Sequence, residues 1–77
     1  VKSQTRVATS LLYECATAGF ALCQLKFGLW LHSQDSSNNM GYQYLEEGLR
    51  RISRDARYAG YATDLVSKSA RLMSERQ

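Results

Sequence analysis

The feature that most constrains this chain is a pair of long, mostly apolar series that repeat at alternating steps of four and three residues. The first series runs from Gln4 to His32, and the second runs from Tyr42 to Met73. This spacing places the repeated residues along one edge of an α-helix. Proline, which would interrupt a helix, does not occur in the sequence. We therefore predict an all-α fold.

A polar stretch separates the two series and indicates a loop. Residues 33–39 are serine, glutamine, aspartate and asparagine, with no apolar member. Such residues form turns, and those at 35–39 can cap a following helix by accepting hydrogen bonds from its first N–H groups. We predict a single helical domain over residues 1–77 with a helix at about 4–33, a loop at about 34–39 and a helix at about 40–75. Folding back near Ser37 then makes a long antiparallel two-helix hairpin.

Gly60 lies within the second predicted helix and leaves an alternative fold open. A glycine costs about 1 kcal/mol in a helix, and the apolar series passes through Gly60 in phase. We therefore favour the two-helix hairpin over a three-helix bundle with a break near Gly60. A chain this short buries only a small core, so we expect the hairpin to be doubled into a four-helix bundle.

The two cysteines are predicted to be free. Cys15 and Cys23 lie eight positions apart within the first predicted helix, where their Cα atoms would be about 12 Å apart. A disulfide requires Cα atoms within about 7 Å of each other. Buried free thiols fit a reducing compartment, and we therefore expect an intracellular, cytoplasmic location.

An aromatic stripe on the outward face of the first predicted helix indicates a protein partner. Tyr13, Phe20 and Phe27 recur every seven residues, and Trp30 and Leu31 extend the apolar surface. An exposed stripe of this length would promote aggregation unless another chain covered it. We therefore predict a non-enzymatic protein–protein interaction module with these five residues in the interface. An adaptor, an assembly factor, a chaperone or a coiled-coil oligomerisation element would each fit, as would binding to a second copy of the chain.

Two other ways of covering the stripe are less favoured. A third helix after Gly60 could cover it from within the same chain. A membrane could cover the run from Leu11 to Leu31, which is about as long as a span. Glu14 and Lys26 lie within that run and would be costly in a bilayer, so a membrane partner is disfavoured.

A basic stripe on the second predicted helix suggests nucleic-acid binding as the alternative function. Its members fall on one face at helical spacing and are Arg50, Arg54, Arg57 and Tyr61. Arginines at such positions can bind phosphates, and a tyrosine can stack on a base. However, Glu46 and Glu47 each precede an arginine by four residues, which is typical of ion pairs on an exposed helix. An anionic partner is therefore the second choice after a protein.

The sequence offers no set of converging acids, bases and nucleophiles for catalysis. Its single histidine, His32, and its two cysteines do not have the spacing of a four-ligand zinc site. Its five glycines are scattered and form no phosphate-binding loop. We predict no enzymatic activity, no cofactor and no metal site.

Overall fold

The computed structural model describes residues 2–54 and 63–76, with side chains described for residues 8–54 and 63–75. The described residues form helices and connecting turns and contain no strand, in agreement with the predicted all-α class. Residues 2–54 and 63–76 contain four helices: α1 (Lys2–Thr17), α2 (Ala21–Gln34), α3 (Asn39–Arg54) and α4 (Thr63–Arg76). The prediction of two helices, or of three, is therefore corrected to four.

α1 ends in a Schellman motif, where the apolar spacing predicts an unbroken helix. Gly19 has a φ of 99°, a left-handed conformation that glycine adopts without steric cost. The Gly19 N–H donates to the Ala16 carbonyl (3.1 Å), and the Phe20 N–H donates to the Cys15 carbonyl (3.4 Å). These two bonds satisfy the last carbonyls of the helix. The predicted continuity of the helix at 4–33 is therefore wrong at residues 18–20.

The turn after α1 brings the two cysteines together. Cys15 and Cys23 form a disulfide with their Cα atoms 5.7 Å apart, so the prediction of free thiols is wrong. That prediction assumed that both cysteines lie in one continuous helix, but the turn at Gly19 interrupts the helix between them. The cytoplasmic location was argued from free thiols, and it stays a prediction without that support.

A short polar turn joins α2 to α3. Asp35 Oδ1 accepts hydrogen bonds from the Ser37 hydroxyl (2.6 Å) and the Ser37 N–H (3.0 Å), and these bonds lower the pKa of the Asp35 carboxyl from its ordinary value. Asn38 Oδ1 accepts a hydrogen bond from the Met40 N–H at 2.9 Å. Asn38 therefore caps α3, and the predicted capping role of residues 35–39 is confirmed at this position.

α2 and α3 pack closely in antiparallel directions and form the centre of the core. Leu25 of α2 and Leu45 of α3 are both 0% exposed. A Cβ added to Gly28 would lie 2.8 Å from Leu45 Cγ, and one added to Gly48 would lie 2.8 Å from Leu25 Cδ2. Each leucine therefore occupies the space above a glycine on the opposite helix, and only the absence of a side chain there permits this approach.

The two outer helices pack on this central pair. α1 packs on α2, and α4 packs on α3 and α2. Among residues 8–17 of α1, Ala16 is the only buried residue, and Leu11 is 61% exposed. In α4, the fully buried Ser69 donates its hydroxyl to the Leu65 carbonyl at 2.8 Å. Gly60, on which the two-helix and three-helix alternatives differ, lies outside the described residues.

Candidate protein-interaction surface

Four aromatic side chains form one cluster around Phe27. The centroid of the Phe27 ring lies 5.5 Å from that of Tyr13, 5.9 Å from that of Trp30 and 4.9 Å from that of Tyr44. The Phe27 and Tyr44 rings meet edge to face, and such aromatic pairs are stabilising beyond the apolar area that they bury. The cluster therefore ties α1, α2 and α3 together at one point.

The predicted aromatic stripe is exposed only in part. Phe20 and Tyr13 are 61% and 48% exposed, whereas Phe27 is only 6% exposed. Trp30 and Leu31 are half-buried. In a continuous helix, Tyr13 and Phe27 would be about 21 Å apart along the axis. The turn at Gly19 instead folds Tyr13 back onto Phe27, so the prediction that Phe27 is exposed is wrong.

A groove of about 190 Å³ opens beside the aromatic cluster, between α2 and α3. Its walls are formed by Gln24, Met40, Gln43, Tyr44 and Glu47. Phe20 precedes the groove residue Gln24 by one helical turn, since the Gln24 N–H donates to the Phe20 carbonyl at 3.0 Å. A cavity of about 150 Å³ is known to hold benzene. The groove therefore has room for one aromatic ring.

Gln24 is a buried polar residue at the junction of α1, α2 and the groove. Its side chain is 5% exposed, and its Nε2 donates to the Ala16 carbonyl at the end of α1 at 3.2 Å. Its Oε1 is buried and has no hydrogen-bond partner in the described part of the chain. An unpaired buried acceptor costs about 1–3 kcal/mol. One hydrogen-bond acceptor at the α1–α2 junction is therefore left without a partner in this structure.

Tyr44 and Met40 also belong to this surface, and neither is among the residues predicted from the sequence. Desolvation raises the pKa of the Tyr44 hydroxyl, and the nearby Tyr13 raises it further. Met40 is 50% exposed at the groove. Met40, Tyr44 and Glu47 are spaced by four and three residues along α3, and this spacing is the signal that places them on one helix face.

Ion pairs neutralise much of the charge next to the groove. Glu47 pairs with Arg51 (3.0 Å) and Arg50 (3.2 Å), and Arg50 also lies 3.4 Å from Glu46. The predicted ion pairs at a spacing of four residues are therefore confirmed for these side chains. Arg54 is exposed, whereas Arg57 and Tyr61 lie outside the described residues.

Neither metal-binding groups in the described residues nor similarity to known proteins identifies a function for this surface. The described residues contain no group of three or more histidine, cysteine, aspartate or glutamate side chains placed to hold a metal ion. Within the same residues, no helix combines the length and apolar character needed to cross a bilayer. No protein-family model, curated protein or solved structure matched the chain. Function is therefore inferred from the geometry of this surface.

Proposed function

We propose that the protein is a non-enzymatic protein–protein interaction module that binds a second copy of the same chain. The observation that supports this is the 61% exposure of Phe20, a large apolar side chain one helical turn before the groove residue Gln24, together with a groove that has room for one ring. In a twofold-symmetric dimer the same surface of both copies meets. The Phe20 of each copy then enters the groove of the other, and α2 and α3 of both copies form a four-helix bundle.

The charge distribution favours a second copy over an anionic partner. The chain has a formal net charge of +3, but among the described residues Glu47 is the only charged one that lines the groove. Its carboxylate is already paired with Arg50 and Arg51. Two such surfaces can approach without strong repulsion, whereas binding to nucleic acid requires unpaired cations.

The solution mass of the Phe20→Asp variant tests the proposal. Phe20 is the N-cap residue of α2 and makes no side-chain capping bond, and aspartate is a favoured residue at this position. The variant should therefore fold at least as well as the parent. It should not dimerise, because a second charged carboxylate is costly to bury in a groove that already contains Glu47.

Multi-angle light scattering over a wide range of protein concentration provides the measurement. The parent mass should rise from 8.7 kDa for one chain to twice that value, and Phe20→Asp should remain at the mass of one chain. Ala70→Asp, at an exposed position in α4, adds the same charge away from the groove and should dimerise like the parent. A parent that stays monomeric, or a Phe20→Asp variant that dimerises normally, would rule out the proposed interface.

A further inference from the structure

The disulfide and a continuous α1–α2 helix are mutually exclusive. The Cα atoms of Cys15 and Cys23 are 5.7 Å apart, whereas residues eight positions apart in one helix are separated by about 12 Å. The ring contact between Tyr13 and Phe27 at 5.5 Å also requires the bend. The disulfide is therefore the covalent bond that prevents α1 and α2 from joining into one helix.

The apolar series of the sequence is in phase across this bend. Its members on either side alternate by four and three residues and are Leu11, Cys15, Ala18, Leu22 and Leu25. In the bent structure Leu25 is fully buried, but Leu11 is 61% exposed and Ala18 is exposed. In one straight helix Leu11 and Ala18 would lie nearly in line with Leu25, which packs over Gly48 of α3. The bend therefore leaves Leu11 and Ala18 exposed, whereas a straight helix would bring them into line with the buried Leu25.

The bent form also leaves polar groups unsatisfied. α2 begins without a side-chain cap at Phe20 and without an acidic residue in its first turn. Gln24 Oε1 is buried and has no hydrogen-bond partner in the described part of the chain. A continuous helix would have no N-terminus at residue 21, and the N–H groups there would bond to the preceding turn. A straight helix would therefore pair the first N–H groups of α2 within the helix, which the bent form does not do.

We propose that Cys15–Cys23 is a reversible redox-modification site that switches α1 and α2 between the bent pair and one continuous helix. The reductant is a small thiol, which can reach the disulfide because both cysteines are half-buried rather than enclosed. The thiolate of the reductant attacks one sulfur, the S–S bond breaks, and the other cysteine leaves as a thiolate that takes up a proton. A second thiol then displaces the first cysteine from the mixed disulfide. Two thiols are oxidised to one disulfide as the protein disulfide is reduced to two cysteines.

Nuclear magnetic resonance of the labelled full chain, before and after reduction by a dithiol, tests the switch. On reduction, the Cα chemical shifts of residues 17–21 should move to helical values. The double variant Cys15→Ser, Cys23→Ser should show the same helical shifts without reductant. Shifts that stay unchanged on reduction would show that the bend persists without the disulfide, and random-coil shifts would show that α1 detaches. Either result would overturn the proposal.

Gly19→Ala provides a second test, because it should affect the two forms in opposite ways. The bent form requires a φ of 99° at this residue, which disfavours alanine, whereas a continuous helix favours alanine over glycine. The variant should shift the equilibrium with glutathione toward the reduced protein by roughly tenfold. Ser10→Ala, at an exposed position in α1, should leave the equilibrium unchanged. An unchanged equilibrium for Gly19→Ala would mean that both redox states keep the bend.

Discussion

At the scale of single residues, Phe27 joins the first three helices through its ring contacts. Its ring is 6% exposed and packs against Tyr13, Trp30 and Tyr44. Phe27→Ala should lower the free energy of unfolding by about 3–5 kcal/mol, because it removes buried apolar area and leaves a cavity. Denaturant unfolding followed by circular dichroism measures this loss.

Tyr13→Ala is the matched control for Phe27→Ala. It removes a ring from the same cluster, but Tyr13 is 48% exposed, so we expect a loss of about 1 kcal/mol. Equal losses for the two variants would contradict the central position of Phe27 in the core.

Single residues also show which parts of the surface can be read from the sequence. Tyr13 and Phe20 are identified by their spacing, and both are exposed in the structure. Tyr44 and Met40 are missed because the sequence does not show that α3 packs beside Phe27. The groove is formed by residues of two helices. Spacing within one helix predicts only which residues of that helix share a face.

At the scale of helices, glycines are the ambiguous residues of this sequence. Gly28 and Gly48 lie inside helices, where a leucine of the opposite helix occupies the space of the absent side chain. Gly19 instead ends a helix with a φ of 99°. The in-phase apolar series favours an uninterrupted helix at each of the three glycines. The polar loop before α3 could be predicted because it combines several turn residues without an apolar one.

Gly48→Ala tests how closely α2 and α3 pack. Alanine favours a helix over glycine by about 1 kcal/mol, so the local effect would be stabilising. The added Cβ would lie 2.8 Å from Leu25 Cδ2 and 3.0 Å from the Ala21 carbonyl oxygen, and relieving such overlaps costs about 1–3 kcal/mol. We expect a lower melting temperature.

Ser67→Ala serves as the control for Gly48→Ala. Ser67 is exposed in α4, so this change alters helix propensity without adding an atom to the α2–α3 contact. The melting temperature of Ser67→Ala should not fall. A higher melting temperature for Gly48→Ala would show that the two helices are less closely packed than described here.

At the scale of the whole molecule, the distribution of charge distinguishes protein binding from nucleic-acid binding, the two functions that the sequence suggests. Arg50 and Arg51 are paired with Glu46 and Glu47, and the groove residues other than Glu47 are uncharged in the part of the chain that the structure describes. An interface of this composition depends on apolar burial, which salt does not screen. Binding of phosphates by arginines weakens steeply as the salt concentration rises.

The proposed dimer should therefore persist when sodium chloride is raised from low to molar concentration, and light scattering can follow its mass. Arg54→Glu reverses an exposed charge outside the groove and should leave the dimer intact at every salt concentration. In the same samples, any retention on immobilised nucleic acid should be lost at high salt and in Arg54→Glu. A dimer that dissociates under either change would assign the association to charged groups rather than to Phe20 and its groove.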